Sequence, residues 1–249
     1  MINQIHLGDC LDIMKNIPDS SIDMILCDLP YGTTNCKWDA IIPFEPLWEQ
    51  YNRVCKRNAA MVFTASNPFT SALIMSNPKF FKYTWVWEKS KATGYLNSKK
   101  MPMRAHEDIC VFYRKLPTYN PQMWQGKPYD KGTAHRPTDV YGKQVGEIHV
   151  KNNSGLRYPR SVQYFKTSES EGKVIHPTQK PISLFNYLIK TYSNEGETIL
   201  DNCIGSGTTA ISCLETGRNY IGIEKDQKYY ELCAKRINDY REIKNDIEK

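Results

Sequence analysis

The chain has 249 residues with a formal net charge of +6, of which 40% are hydrophobic and 24% charged, a composition that excludes disordered, collagenous and fibrous proteins. Its mean hydropathy is -0.58, it lacks an apolar run of the ~18–20 residues that cross a bilayer, and it opens without a secretory signal, so we expect a cytoplasmic protein with no membrane contact. Its eight cysteines include no CxxC pair, so we expect neither a metal site nor a compact disulfide scaffold.

The first clear element is a buried strand predicted at residues 21–27. This apolar run ends in Asp28-Leu29-Pro30-Tyr31-Gly32, and an apolar run followed by a loop is typical of a parallel strand. Asp28 is therefore expected at the carboxyl end of a strand. Downstream, the pattern predicts helices at residues 44–57 and 68–75 and strands at residues 59–64, 83–87 and 109–113.

The middle of the chain carries the positive charge. Residues 89–166 contain 15 basic and 5 acidic residues, a charge of +10, whereas the remainder has 18 basic against 22 acidic residues and sums to −4. Tyrosines and Trp124 are interleaved with these cations, as in proteins that contact bases and phosphates together, although a solvated surface explains the pattern equally well. Residues 114–173 show no periodicity and are rich in Pro, Gly, Asn, Ser and Lys, which predicts an irregular inserted segment.

Regular elements resume after this segment. The pattern predicts a helix at 182–193, a strand from residue 198 that enters a glycine-rich turn and a helix, a strand at 218–224 and a helix at 227–241. Alternating strands and helices predict a doubly wound, mostly parallel α/β sheet. Ligands bind such sheets beyond the carboxyl ends of the strands, where we expect Asp28, Asp201 and Glu224.

The glycine-rich turn has two interpretations. Gly205-x-Gly207-x-x-Ala210, with Glu224 nineteen residues after Gly205, fits the fingerprint of dinucleotide-binding domains, so a nicotinamide-dependent oxidoreductase is one candidate. Only one βαβ unit follows the turn, whereas a nucleoside cofactor without a pyrophosphate needs no more than that. Acids at positions 201 and 224 also tolerate a cationic ligand, and S-adenosylmethionine, a sulfonium with a ribose diol, meets both conditions.

Asp28-Leu29-Pro30-Tyr31 combines a carboxylate, a carbonyl fixed by the following proline and an aromatic ring at one strand end. An exocyclic amino group has two hydrogens, which the Asp28 carboxylate and the Leu29 carbonyl could accept. By itself the tetrapeptide is equally compatible with a plain turn.

Joined to the later turn, however, this tetrapeptide resembles the amino-group DNA methyltransferases, which carry D/N/S-P-P-Y after one strand and F-x-G-x-G after another. The order here, D-x-P-Y, then a basic segment, then H-P-T-Q-K-P at 176–181 and the glycines, resembles the permuted β class of adenine-N6 and cytosine-N4 enzymes. Two departures are Leu29 in place of the first proline and Asn202-Cys203-Ile204 where the family commonly has P-F.

The resemblance implies one circularly permuted, Rossmann-like domain of the S-adenosylmethionine-dependent type over residues 1–249, with 114–173 inserted as a target-recognition segment. It implies that Asp28, Leu29, Pro30 and Tyr31 surround a flipped target base. The implied cofactor contacts are Asp9, Asp28, Thr178, Lys180, Asp201, Asn202, Gly205, Gly207, Thr208 and Glu224, with Thr178 and Lys180 near the methionine carboxylate. We expect the basic residues Lys99, Lys100, Arg104, Lys127, Lys131, Arg136, Arg157 and Arg160 to contact DNA.

The implied reaction is methyl transfer from S-adenosylmethionine to the exocyclic N6 of adenine in double-stranded DNA, by base flipping and direct in-line attack. Aspartate at position 28 favours adenine, because serine is commoner there in the cytosine-N4 enzymes, which are the alternative. A carbon-5 cytosine enzyme would need a cysteine beside a proline, and the sequence has no Pro-Cys. A catalytically silent DNA-binding protein is a third candidate. The family also suggests a homodimer and a cognate restriction enzyme.

Overall fold

A computed structural model of the protein describes residues 1–33, 39–134, 148–172, 174–176 and 178–247. The chain forms two compact units, Met1–Asn120 with Ser161–Lys249, and Pro121–Arg160. The strands are β1 (Gln4–Leu7), β2 (Ile22–Asp28), β3 (Cys55–Ala65), β4 (Phe81–Thr93), β5 (Arg104–Phe112), β6 (Trp124–Gln125), β7 (Tyr129–Ala134), β8 (Ile148–Asn152), β9 (Leu156–Arg157), β10 (Val162–Phe165), β11 (Thr198–Asp201) and β12 (Asn219–Glu224). The α-helices are α1 (Cys10–Met14), α2 (Phe44–Val54), α3 (Phe69–Ser76), α4 (Ile182–Tyr192), α5 (Thr208–Thr216) and α6 (Gln227–Ile247).

The larger unit is built on an eight-stranded sheet in the order β1-β12-β11-β2-β3-β5-β4-β10. Within this sheet β5 runs antiparallel to its neighbours β3 and β4, because a hairpin joins it to β4, and the other seven strands run parallel. The predicted doubly wound, mostly parallel α/β sheet is confirmed.

Alternation along β2 explains why helices cover both faces of the sheet. Ile25 and Cys27 point into a core that includes side chains of α1, α2 and α3. Met24 and Leu26 point into a second core with side chains of α4, α5 and α6. Because successive strand residues face opposite sides, a continuous apolar run with two covered faces is what a buried parallel strand requires.

Among the described residues, no helix combines the length and the apolar character that crossing a membrane requires.

The pairing of β2 with β11 positions the candidate site. Ile25 lies opposite Leu200 in this parallel ladder, so the strand that leads to Asp28 and the strand that leads to the glycine-rich turn end at the same edge. The four-residue strand β1 and the five-residue helix α1 were not predicted. They are too short to show a hydrophobic period, and β1 is recognised only through its ladder with β12.

The smaller unit consists of two short antiparallel ladders, β6 with β9 and β7 with β8. The Arg157 guanidinium lies 5.3 Å from the centroid of the Trp124 ring and 5.2 Å from that of Tyr129. Residues 114–173 were predicted to be irregular, and the described strands in that range span only two to six residues. Such strands are too short for a periodic signal. The role of this segment in target recognition stays a prediction.

Candidate active site

A cavity of about 700 Å³ opens at the carboxyl ends of the central strands. Asp28 and Tyr31 from the loop after β2 line it together with Gly205 from the turn after β11 and Glu224 from the end of β12. The two predicted site segments therefore converge on one cavity, although they are far apart in the chain. Other predicted residues that line it are Asp9, Leu29, Pro30, Arg104, Thr178, Lys180, Asp201, Asn202 and Thr208.

The two glycines of the turn have different roles. Gly205 has a φ of +52°, and a Cβ there would meet no atom closer than 3.9 Å, so its φ rather than crowding favours glycine. Gly207 has a φ of +83°, and a Cβ there would lie 2.8 Å from the Cys233 sulfur of α6. Gly207 thus lets α5 and α6 approach closely and does not belong to the cavity lining, unlike its neighbour Thr208.

Two backbone amides fix the Glu224 carboxylate, one at each oxygen. Its Oε2 accepts a hydrogen bond from the Gly205 amide at 2.9 Å, and its Oε1 accepts one from the Asp226 amide at 2.8 Å. Burial raises the pKa of the Glu224 carboxyl, and the two amides only partly offset this effect. Each carboxylate oxygen has a second lone pair, so the group can still accept hydrogen bonds from a ligand.

Asp201 and Asn202, at the start of the glycine-rich turn, make hydrogen bonds that stabilise it and its surroundings. Asp201 is buried and accepts hydrogen bonds from the Thr209 hydroxyl and the Cys203 amide. Burial raises the pKa of its carboxyl to about 6, although these hydrogen bonds oppose the shift. The Asn202 amide oxygen accepts a hydrogen bond from the Tyr51 hydroxyl at 2.6 Å. Both side chains therefore have structural partners in addition to their place in the cavity wall.

Asp9 caps helix α1, since its Oδ1 accepts a hydrogen bond from the Leu11 amide at 3.0 Å. Its Oδ2 lies 2.9 Å from Lys225 Nζ. Asp9 therefore has a structural role as a helix cap and also lines the cavity. Thr178 is exposed, and its amide donates to Nδ1 of His176 at 3.2 Å.

His176 is buried against Tyr229, whose ring centroid lies 4.2 Å away in an edge arrangement. Burial lowers the pKa of His176 to about 4, so the imidazole is neutral at physiological pH. This neutral ring packs against Tyr229 and accepts a hydrogen bond from the Thr178 amide, which is a structural role.

Three donors fix the Asp28 carboxylate. The Tyr31 hydroxyl donates to Oδ1 at 2.7 Å, the Thr64 hydroxyl donates to the same oxygen, and Lys180 Nζ donates to Oδ2 at 2.5 Å. The Tyr31 ring is itself stacked on Phe69, with centroids 5.0 Å apart. The Leu29 side chain is buried in the core. The residues of the D-x-P-Y segment thus form one preorganised wall.

Lys180 belongs to a row of alternating charges that was not predicted. Its Nζ lies 3.6 Å from Glu107 Oε2, and Glu107 Oε1 lies 3.1 Å from Lys89 Nζ. Burial alone would lower the pKa of Lys180, but Asp28 and Glu107 outweigh it and the pKa is raised. Burial alone would raise the pKa of Glu107, but Lys180 and Lys89 hold it below its usual range. Lys180, expected beside the cofactor carboxylate, is paired with Asp28 in this structure.

The predicted DNA-contacting residues fall in both units. Lys99, Lys100 and Arg104 lie at or beside the turn of the β4–β5 hairpin and are exposed. The smaller unit carries Lys127, Lys131, Arg157 and Arg160, while Arg136 lies outside the described residues.

Comparisons with known proteins agree with this geometry. The family model N6_N4_Mtase, described as DNA methylase, matches residues 22–235. The type II methyltransferase M.HinfI of Haemophilus influenzae is 28% identical over 99% of this chain and 71% of its own length. The type II methyltransferase M1.MboII of Moraxella bovis is 25% identical over 92% of this chain and 94% of its own length.

Solved structures show the same fold. The M1.HpyAVI–SAM complex has a TM-score of 0.65 at 24% identity, covering 94% of this chain and 98% of that one. The cytosine-N4-specific PvuII DNA methyltransferase has a TM-score of 0.64 at 16% identity, covering 97% and 92%. Because the family model spans most of the chain, including the D-x-P-Y wall and the glycine-rich turn, the dehydrogenase interpretation is set aside. The chain belongs to the DNA methylase family of N6 and N4 methyltransferases.

Proposed function

We propose that the protein methylates the exocyclic N6 of adenine in duplex DNA, with S-adenosylmethionine as the methyl donor. The observation that supports this most strongly is the Asp28 carboxylate, which lines the cavity and is fixed by Tyr31, Thr64 and Lys180. Two hydroxyls use the lone pairs of Oδ1 and one ammonium uses a lone pair of Oδ2, which leaves one acceptor position for an amino hydrogen. Aspartate rather than serine at this position supports adenine over cytosine.

The other half of the cavity suits S-adenosylmethionine. Glu224 keeps acceptor positions for the two ribose hydroxyls after binding the Gly205 and Asp226 amides. The space beside Gly205 is open, and about 700 Å³ lies within the ~300–1,000 Å³ typical of cofactor sites. When bound, this cofactor supplies an electrophilic sulfonium methyl group.

The main chemical task of the protein is to prepare the amine. The adenine N6 lone pair is delocalised into the ring and is poorly nucleophilic. Asp28 and the Leu29 carbonyl, each accepting one amino hydrogen, favour a pyramidal nitrogen with its lone pair directed out of the ring, and Asp28 stabilises the positive charge that develops there. Holding the nitrogen in line with the methyl group is worth up to ~7–11 kcal/mol. Asp28 need not remove a proton before the attack. The nitrogen lone pair would form the new bond to the methyl group, the electrons of the broken sulfur–methyl bond would stay on the sulfur, and the methylated nitrogen would then release one proton to water.

The target base must leave the duplex to reach Asp28. The Tyr31 ring is stacked on Phe69, lies 5.8 Å from Lys180 Nζ and is hydrogen-bonded to Asp28. The ring is therefore held rigidly in the cavity wall, where we expect it to contact an extruded base. DNA contacts are proposed for the basic residues of the β4–β5 hairpin and, independently, for those of the smaller unit. A homodimer and a cognate restriction enzyme stay predictions of the family resemblance.

The experiment that tests the function is expression in a methylation-free host, followed by single-molecule sequencing of the host DNA. We expect N6-methyladenine at one short sequence with the wild type and none with Asp28→Ala, while calorimetry shows that Asp28→Ala still binds S-adenosylmethionine. Asp239→Ala, which removes an exposed carboxylate on α6, is the control and should methylate normally. If the modified base were N4-methylcytosine, the protein would be the cytosine-N4 methyltransferase that is the alternative. If the host DNA stayed unmodified, the candidate left would be a catalytically silent DNA-binding protein.

A further inference from the structure

The turn of the β4–β5 hairpin presents apolar side chains to solvent. Leu96 is 97% exposed and Tyr95 75% exposed, and Met101 and Met103 nearby are also exposed. A short 3-10 helix, Tyr95–Asn97, fixes the first two residues at the turn. Single exposed apolar residues are common, whereas here four lie within nine positions at one hairpin turn, and groups of exposed apolar residues mark interaction sites.

This turn rises from the rim of the cavity. Thr93 and Arg104 face each other at the base of the turn, and both line the cavity that contains Asp28. Because β4 runs parallel to β2, the carboxyl ends of the two strands lie at the same edge of the sheet. Leu96 is therefore only three residues from Thr93, which lines the cavity.

The charge of the hairpin identifies the kind of molecule. Residues 89–104 contain five basic residues and no acidic residue. An apolar turn flanked by cations suits either a lipid surface or a nucleic acid. The adjoining cavity contains a carboxylate that can accept an amino hydrogen and a rigid aromatic ring. These groups suit a nucleobase, whereas the acyl chain of a lipid has no amino group for the carboxylate to bind. We therefore favour DNA, whose phosphates attract the cations while its stacked bases accept an apolar side chain.

We propose that Leu96 is a wedge that enters the base stack at the position which the target base vacates. This inference rests on the proposed function, because it requires a base to be extruded into the cavity beside it. Extrusion breaks stacking and pairing, which costs free energy. An apolar side chain that fills the vacated space offsets this cost and delays the return of the base, and Leu96 also loses its exposure to water.

The test compares Leu96→Ala with the wild type on a duplex that carries the recognition sequence found by sequencing. With 2-aminopurine as the target base, fluorescence reports extrusion without requiring methyl transfer. We expect Leu96→Ala to reduce the fluorescence gain on this duplex at least tenfold. On the same duplex with adenine as the target base, kcat/KM should also fall at least tenfold, while the affinity for S-adenosylmethionine stays unchanged. The control is Leu116→Ala, since Leu116 is 78% exposed and follows the opposite end of β5. It should match the wild type.

A second substrate separates a wedge from an ordinary contact. When the residue opposite the target adenine is abasic, extrusion is easier, and we expect the Leu96→Ala defect to shrink to less than threefold. An equal defect on both substrates, or none on the paired duplex, would overturn the proposal. So would a variant that loses only binding to anionic lipid vesicles, which would identify a membrane surface as the partner. If the wild type itself fails to methylate DNA, the proposed function fails, whereas an active wild type with an active Leu96→Ala variant refutes the wedge alone.

Discussion

Replacing Lys180 with methionine removes a buried positive charge while keeping the length of the side chain. The wild-type side chain is 8% exposed, and its ammonium lies 2.5 Å from Asp28 Oδ2 and 3.6 Å from Glu107 Oε2. Removing one partner of a buried ion pair costs about 3–5 kcal/mol, because the other charge stays buried without compensation. Since Asp28 keeps the hydrogen bonds from Tyr31 and Thr64, we expect the lower end, a loss of about 3 kcal/mol in the free energy of unfolding.

Urea unfolding followed by circular dichroism measures this loss for the wild type, Lys180→Met, Asp28→Asn and the double variant. The double variant should lose about 2 kcal/mol less than the sum of the single losses, because the second substitution no longer leaves a charge unpaired. Lys190→Met, at an exposed position on α4, should lie within about 0.5 kcal/mol of the wild type. A similarly small effect of Lys180→Met, or simple additivity, would refute the ion pair.

The pH dependence of stability tests independently whether the charged form of Lys180 stabilises the folded protein. Asp28 and Glu107 outweigh burial and raise the pKa of Lys180 in the folded protein, so its contribution is complete below the unfolded lysine value of about 10.4 and is lost as the pH rises through the folded value. The stability difference between the wild type and Lys180→Met should be constant from about pH 7 to 9 and should shrink above about pH 10.4. A difference that grows with pH would contradict the assignment.

Three further predictions concern the cofactor and the DNA. Glu224→Ala should weaken S-adenosylmethionine binding about 10- to 100-fold, from the loss of hydrogen bonds to a charged group; unchanged affinity by calorimetry would refute the ribose assignment. Burial raises the pKa of Asp201 to about 6, so its contribution to stability is complete below about pH 3 and is lost as the pH rises through 6; relative to Asp201→Asn, the wild type should lose about 3 kcal/mol between pH 3 and 7.5 in denaturation curves, and parallel pH profiles would contradict this. Replacing Lys99, Lys100 and Arg104 together by alanine should weaken DNA binding and reduce its logarithmic salt slope by about 2 to 3; an unaltered slope would place the DNA elsewhere.

Local signals explain which elements could be predicted from the sequence. The apolar run before Asp28 and the glycines at 205 and 207 are contiguous in the chain, so β2, β11 and the turn into α5 were found close to their observed positions. The antiparallel direction of β5 was not predicted, because the pattern of a strand does not record its direction. The predicted strands at 83–87 and 109–113 also proved longer, at Phe81–Thr93 and Arg104–Phe112, since their outer residues are exposed and lack an apolar signal.

The charges around Asp28 show what the sequence could not supply. Lys180 and Asp28 are separated by 152 positions, and no local pattern encodes their contact. Glu107 lies opposite Trp87, two residues before Lys89, in the β4–β5 ladder. A correct prediction of that hairpin and its register would have brought Lys89 and Glu107 together. The contacts that could not be predicted are therefore those set by strand register and by the packing of distant elements.

The most direct test of the central claim is a crystal structure of the protein with sinefungin, an analogue in which an amine replaces the transferred methyl group, and with its target duplex. We expect Glu224 to bind the ribose of the analogue and Asp28 to accept a hydrogen bond from the N6 amino group of an extruded adenine. The analogue amine should lie about 3–3.5 Å from that nitrogen, as in a near-attack arrangement. An adenine that stays in the duplex, or an analogue bound away from the glycine-rich turn, would contradict a single cavity that joins methyl donor and base.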